Sequence, residues 1–402
     1  MTVLREMVLS KAEFETELSN IASWWFTHAF DRARGGVHGE ISDNNTIKEG
    51  AVRSANLQTR ALWFFSEYAA YIGGGRVRSI ADEQYRYVID ALMDKEHGGV
   101  FWSVSADGAP VSMRKQTYAQ AFAIYALSAY ALVSNNQEAT ALALELARLL
   151  EERARDGVRG GYVEAFARDW SPVEDVRLSD RDMNAPKTMN THLHVLEAHT
   201  ALHRLVNDDF TRCLLEASIR LFETHFVAPG HGRHLALFYS LDWESQCHDE
   251  SYGHDIEASW LCHEAAEALG DEEVIEQARL RAVSLAEEAL NALDGEGGLI
   301  YERIAGSEPD RTRHWWPQAE ALVGFYNAYQ ISGEAVFEDA AARVWSFIKR
   351  YQIDYQKGEW RWHAVTDRGV ASPYKAGFWK GPYHNGRAMM EMIRRLNGGG
   401  ND

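Results

Sequence analysis

The sequence predicts an all-α fold, an (α/α)6 barrel of six helical hairpins with short β-hairpin loops, on three observations. First, glycine pairs or near-pairs followed by aromatic or β-branched residues recur along the chain. They stand at Gly35–Gly36, Gly98–Gly99, Gly160–Gly161, Gly230 with Gly232, Gly297–Gly298, and Gly358. Counted from the first glycine of each, the separations are 63, 62, 70, 67 and 61 residues, a period that marks structural repeats. Second, the stretches between them carry apolar residues at three- and four-residue spacing, the mark of amphipathic helices. Third, only eight prolines interrupt 402 residues, as a mostly helical chain requires.

Each repeat holds one glycine-marked loop and two helices. The segments "VFWSV" and "LIYERI", after the second and fifth glycine turns, read as short strands in hairpin-like loops. "SNNQEATALALELARLLEERAR", "THLHVLEAHTALHRLV", "DEEVIEQARLRAVSLAEEALNAL" and "EALVGFYNAYQISG" carry the helical period. Helical hairpins that cannot bury their apolar faces alone pack side by side. Six of them, with no low-complexity linker and no polar capping repeat, are expected to close into a ring of six inner and six outer helices. Residues 1–402 are expected to form one domain.

Composition narrows the function. At 46% hydrophobic and 25% charged the chain is an ordinary soluble protein. A formal net charge of −18 argues against a nucleic-acid partner, because neutralising phosphates needs a basic face. Cys213, Cys247 and Cys262 form no spaced cluster, which argues against a disulfide framework or a cysteine-rich zinc site. The longest apolar run, "AFAIYALSAYALV", falls well short of the ~20 residues of a membrane span. The N-terminal stretch has no apolar signal core, so a cytoplasmic protein, monomer or homodimer, is expected. Thirteen tryptophans, 17 tyrosines and 16 phenylalanines could supply sugar-stacking faces as well as core.

Polar residues gather where each inner helix begins. Arg60, Tyr118, Asn190, His254, Glu320 and His384 mark the six units in turn, with Glu257 three residues after His254 and Trp316 and Trp379 beside the last two markers. In a ring these beginnings converge on one mouth. His192 and His194 of "HLH" point in nearly opposite directions on a helix; His194, on a stripe with Glu197, is assigned to the mouth. Taken singly, a histidine near a helix start or an arginine in a buried ion pair is often structural. Alignment in all six units is hard to obtain by accident. Glu320 lies in an apolar helix and needs a partner. "HLH" and "HDIE" offer metal ligands, but zinc sites on helices favour histidines at i and i+4, which neither gives, so no metal is expected.

At "GGYVEAFARDW", "MNTHLHVLEAHT", "YGHDIEASWL", "WWPQAEALVGF" and "WKGPYHNGRAMMEM" the sequence resembles the N-acylglucosamine 2-epimerase superfamily, its cellobiose-type branch most of all. The matching stretches run in family order over nearly the whole chain. The resemblance implies the (α/α)6 barrel and a sugar substrate, with no cofactor. It implies catalytic roles for His254, His384, His194 and Arg60, with paired carboxylates at Glu257 and Glu320. Sugar contacts are implied at Tyr118, Asn190, Trp316 and Trp379. The implied reaction interconverts the reducing-end glucose and mannose units of β-1,4-linked disaccharides such as cellobiose. Aldose–ketose isomerisation, or 2-epimerisation of free mannose or glucose, is the alternative. The segment "NNTIKEGAVRSANLQTR" departs from the family pattern and adds Arg53, a departure that bears on substrate preference.

The chemistry suits these groups. Epimerising C2 of a reducing sugar removes a weakly acidic proton beside a carbonyl and returns it to the opposite face. Two histidines on opposite sides of C2 fit that task, and a fixed cation such as Arg60 would stabilise the enediolate. Glu257 and Glu320 are expected to set the tautomer of neighbouring imidazoles and raise their basicity. Glycoside hydrolysis would use the two carboxylates but leave three histidines and an arginine without a role. A non-catalytic sugar binder would need the aromatic platform alone.

Overall fold

Helices that are apolar all round become buried, whereas those with one apolar stripe lie outside them. The computed structural model describes residues 9–227, 234–367, 369–370 and 372–398, and the fourth glycine loop, at Gly230 and Gly232, lies outside the described residues. Twelve α-helices form among the described residues. The first six are α1 (Lys11–Trp24), α2 (Ala55–Ile72), α3 (Gly75–Tyr87), α4 (Thr117–Ser134), α5 (Gln137–Arg153) and α6 (Met189–Val206). The second six are α7 (Asp209–Leu221), α8 (Tyr252–Leu269), α9 (Glu272–Leu290), α10 (Trp315–Ser332), α11 (Ala335–Phe347) and α12 (Tyr383–Gly398).

The even-numbered helices form the inner ring: α2 packs on α4, and so on through α6, α8, α10 and α12, which returns to α2. Each of α3, α5, α7, α9 and α11 lies against the inner helix before it, and α1 lies against α12. The chain thus begins with the outer partner of its last helix, and the predicted (α/α)6 barrel is closed. The first five inner helices end in a left-handed residue, Gly73, Asn135, Asn207, Gly270 or Gly333, whose N–H bonds the carbonyl four residues back. That stop places the outer helix only two residues further on. No described helix is long and apolar enough to cross a membrane.

Short antiparallel ladders stitch the loops around the ring. The two residues just before α2, α4, α6 and α8 pair with the loop of the next unit: Arg53–Ser54 with Ser103–Val104, Lys115–Gln116 with Ala165–Phe166, Lys187–Thr188 with Phe238–Tyr239, and Glu250–Ser251 with Glu302–Arg303. The strands expected in "VFWSV" and "LIYERI" shrink to Ser103–Val104 and Glu302–Arg303. Their partners are too short to show any period in sequence.

A second repeat clamps the described glycine turns. Asp31, Asp94, Asp156 and Asp354 stand four residues before a glycine, and each accepts backbone N–H bonds from the turn through Oδ1. The other carboxylate oxygen takes a buried cation: Arg53 at 2.5 Å, Lys115 at 2.8 Å, Lys187 at 3.0 Å and Lys375 at 2.9 Å. Asp294 and Arg313 make the same pair in the fifth unit. Arg53, Lys115 and Lys375 also donate to the carbonyl of Gly35, Gly98 and Gly358. Arg53 is therefore a structural clamp and not the specificity residue its position suggested.

These clamps are testable. Asp94→Asn leaves the buried Lys115 ammonium without its carboxylate, and should cost about 3–5 kcal/mol, read as a lower urea midpoint. Replacing both residues with apolar ones (Asp94→Leu with Lys115→Met) should restore much of the loss, since the pair is bought at a desolvation cost. Burial alone would raise the Asp31, Asp94, Asp156 and Asp354 carboxyls, but the cations and turn N–H groups hold all four below the ordinary range. Lowered folded values mean stability that is present above the unfolded carboxylate value and lost as pH falls below about 4. A thermal melting point that is flat from pH 5 to pH 3 would contradict this.

Candidate active site

The first two turns of each inner helix divide their side chains between scaffold and mouth. The fourth residue of five inner helices turns outward to accept a backbone N–H from its own glycine loop. Gln58 accepts from Val37, Gln120 from Val100, His192 from Tyr162, Asp255 from Leu235 and Gln318 from Leu299, at 2.7–3.0 Å. His192 is thereby structural, as the opposite orientation of His194 required. The second or third and the sixth residues supply the mouth: Tyr118, Asn190, His254, Trp316 and His384 from the first group, Arg60, His194, Glu257 and Glu320 from the second.

The floor of the site is Arg387, which the sequence reading did not single out. Its Nη2 lies 2.8 Å from Oε1 of both Glu257 and Glu320. Its Nη1 contacts Glu197 and the Tyr383 hydroxyl, and the guanidinium lies over the Tyr383 and Trp260 rings. Tyr383 donates to Glu197 at 2.5 Å, and Trp260 Nε1 donates to Glu320 Oε2 at 3.1 Å. Glu257, Glu320 and His384 hold potential ligand atoms within 4.8 Å of one another, but the positive charge between the two carboxylates is the Arg387 guanidinium.

Each mouth histidine has its Nδ1 tied. His384 Nδ1 is 2.6 Å from Glu320 Oε1, His194 Nδ1 is 3.0 Å from Glu197 Oε2, and His254 Nδ1 is 2.6 Å from Ser251 Oγ. This corrects one expectation. The spacing of His254 and Glu257 puts both on one face of α8, yet they do not pair: Ser251 holds the histidine and Arg387 holds the glutamate. Only Glu320 orients an imidazole as expected, with Glu257 Oε1 3.9 Å from His384. The carboxylate that serves His194 is Glu197, one helical turn along α6, a spacing visible in "HLHVLE".

Trp316 packs against two of these rings, 4.7 Å from His254 and 5.7 Å from His384. Gly253 makes this possible, since a Cβ there would meet the Trp316 ring at 2.6 Å. Across the mouth Arg60 donates to the Trp379 carbonyl and the Tyr118 hydroxyl, both at 2.8 Å. It lies over the Phe122 and Tyr383 rings, and its Nε has no hydrogen-bond partner. No carboxylate pairs with Arg60 among the described residues, so this buried cation is free to face a developing anion. Tyr118 packs edge-on against His194 at 4.9 Å. Asn190 is half-buried, and its Oδ1 has no partner.

Electrostatics follow from burial. Burial, reinforced by neighbouring cations or imidazoles, pushes His384 well below the ordinary histidine value and His254 down to about 3. His194 is also lowered by burial, against the opposing pull of Glu197. Burial alone would raise Glu197, but Arg387, His194 and Tyr383 hold it down at about 2. Glu257 is pushed up to about 8 by burial and by repulsion from Glu320, and burial raises Glu320 as well. The pair holds fewer than two negative charges at neutral pH, and Glu320, on which three donors converge, is the member suited to carry one.

Known proteins resemble this chain over nearly its whole length. The family model for N-acylglucosamine 2-epimerase (GlcNAc 2-epimerase) matches residues 35–388. A cellobiose 2-epimerase of Bacteroides fragilis is 39% identical over 386 residues, covering 95% of this chain and 98% of that protein. One from Ruminococcus albus is 36% identical over 387 residues, covering 96% and 98%. The solved cellobiose 2-epimerase of Spirochaeta thermophila superposes with a TM-score of 0.90 at 38% identity, covering 99% of each chain. A solved D-mannose isomerase, at 18% identity and a TM-score of 0.83 over 98% of this chain and all of the other, shares the fold. The chain belongs to the N-acylglucosamine 2-epimerase family.

Proposed function

We propose that this chain is a sugar 2-epimerase that interconverts glucose and mannose at the reducing end of β-1,4-linked disaccharides such as cellobiose. The observation that carries the reading is the pair His254 and His384, both packed against Trp316, in the same mouth as a buried Arg60 that has no counter-ion among the described residues. Full-length similarity to cellobiose 2-epimerases supports the disaccharide.

In this reading the open-chain sugar presents C1 and C2 between the two imidazoles. One takes the C2 proton as the C–H pair moves into the C1–C2 bond and the carbonyl oxygen becomes an oxyanion. Arg60 stabilises that charge at a position where water is excluded. The other imidazole, protonated from solvent as the enediolate forms, gives that proton to the opposite face of C2 while the first releases the C2 proton to solvent, so no net oxidation occurs. Donation from His384 Nδ1 to the Glu320 carboxylate leaves Nε2 with its lone pair, the form a general base needs. Glu320 then stabilises the imidazolium as it forms. His194 and Glu197 make a second such pair beside Tyr118, suited to moving protons on the sugar oxygens during ring opening. Trp316 and Trp379 supply stacking faces, with Tyr118 and Asn190 as hydroxyl partners.

Replacing His254 or His384 with Asn removes a titrating group at similar size, and each should lower turnover about 10²- to 10⁴-fold. Proton NMR of the products from cellobiose in deuterated water should show glucosyl-mannose with deuterium at C2. Near-normal epimerisation by both variants would defeat the assignment; a mainly ketose product would move the reaction to the isomerase class, with the proton delivered to C1.

Because burial lowers all three imidazoles, their neutral, base-competent forms persist into acid. The acid limb of kcat/KM should therefore lie below about pH 6.5, the unperturbed histidine value. A limb at or above that value would contradict the protonation states used here. Since Arg387 bridges the carboxylates, exhaustive chelation should leave the activity unchanged. Loss with chelator and recovery with a divalent ion would make Glu257, Glu320 and His384 metal ligands.

A further inference from the structure

The sixth glycine turn differs from the others at one residue. In the first three turns both glycines are left-handed: Gly35 and Gly36, Gly98 and Gly99, Gly160 and Gly161, with φ between 67° and 76°. In the sixth turn Gly358 has φ 76°, and the next residue is Glu359 at φ 61°. A non-glycine residue there is strained, because its Cβ crowds the following carbonyl oxygen, and such strain tends to be kept where it serves a site.

The Glu359 side chain is 2% exposed and fully engaged. Its Oε1 accepts from Asn385 Nδ2 at 2.7 Å, from Lys380 Nζ at 2.9 Å and from the Trp360 backbone N–H at 2.9 Å. Its Oε2 accepts from Trp25 Nε1 at 2.8 Å. Lys380 is fully buried and pairs with Glu359 at 2.9 Å. Asn385 follows His384 directly, and Lys380 precedes it by four residues, so one carboxylate oxygen grips the chain on both sides of His384.

The other inner helices are held differently. A two-residue ladder precedes α2, α4, α6 and α8, and a bridge between His314 and His363 precedes α10. The fourth residue of each of these five helices reaches back to its loop. Before α12 the corresponding bridge, Ile41 with Ala376, stands seven residues ahead of the helix, and a tight turn between Gly377 and Lys380 fills the gap. Here the direction is reversed, and the side chain comes from the turn to the helix. In the second and third turns a Cβ on the second glycine would strike Gln120 or His192 at 2.8 Å, the residues that make the inward reach there. Among the described turns, only in the sixth is that place taken by a side chain of the turn itself.

We infer that Glu359 is a positioning residue for His384, holding the start of α12 through Asn385 and Lys380 so that the His384–Glu320 hydrogen bond and the ring's place beside Trp316 are fixed. The inference rests on the role proposed above for His384. Glycine would relieve the left-handed φ but would also strip the buried Lys380 of its carboxylate, so a merely structural role and a positioning role are separated by the turnover of the folded variant and not by its stability.

The test is steady-state epimerisation of cellobiose by E359G, E359Q and H384N, with thermal melts and proton NMR of the imidazole N–H region. Displacement of a proton-transfer group should lower kcat of E359G about 10- to 100-fold, with KM changed by less than about threefold. The downfield N–H signal of the 2.6 Å His384–Glu320 bond, assigned by its absence in H384N, should shift or broaden. E359Q, which keeps an acceptor oxygen, should recover part of the turnover. If E359G fails to fold because Lys380 is left unpaired, E359G with K380M removes that charge, and the same kcat loss is expected. Wild-type kcat in a folded E359G, or in the paired variant, overturns the inference while leaving His384 intact. Wild-type turnover by H384N instead overturns the proposed role of His384 and this inference with it.

Discussion

Arg387 is a cation shared by three buried carboxylates that come from three different inner helices. Glu197 belongs to α6, Glu257 to α8 and Glu320 to α10, and Arg387 itself to α12. Burying a guanidinium with three carboxyl groups in an apolar barrel is costly unless each is paired and hydrogen-bonded. The guanidinium has donors enough, in fixed planar directions, to satisfy all three. Remove it and the carboxylates face one another across the barrel axis without a counter-ion. The two imidazole–carboxylate pairs, His384–Glu320 and His194–Glu197, then lose the common anchor that sets their separation. One side chain thus ties four inner helices together and fixes the positions of two histidines.

Scaffold and site are built from the same short stretch of sequence. Along the first two turns of an inner helix, the fourth residue binds the loop while the second or third and the sixth face the mouth. A helix rotates 100° per residue, so the fourth position points away from the other two. The scaffold contact therefore fixes the rotation of each helix about its axis, and with it the aim of the site residues. The Asp–cation clamps fix the remaining freedom, the height of the loop above the helix start. Precision at the mouth follows from contacts that never touch it.

Much of this was legible in the chain. The glycine period gave the number of hairpins, and polar residues at the helix starts gave most of the mouth. What failed to show were contacts across the ring. Arg387 and Glu197 are separated by 190 residues, and helical spacing says which face a residue occupies but not which neighbour it meets. The same limit hid the partners of Glu257 and His254: Arg387 holds the glutamate, which orients no imidazole as expected, and Ser251 holds the histidine. Arg53 looked like a departure from pattern because the clamp repeat, an aspartate four residues before a glycine, had not been aligned with the cation two residues before the helix. Glu359 was hidden by standing where a turn needs no side chain at all.

All six inner helices begin at the same end of the barrel, so the peptide dipoles of α2, α4, α6, α8, α10 and α12 aim their positive ends at one small volume. Each is equivalent to roughly half a positive charge at its first turn, the turn that carries the mouth residues. In a protein with a net charge of −18, these termini add positive potential at the mouth. A neutral sugar gains almost nothing from such a field. An enediolate, which carries charge only while C2 is changing hands between faces, gains at every one of the six termini. A fold that hosts its site at this end stabilises the transient species more than the bound substrate, and that difference is what raises a rate.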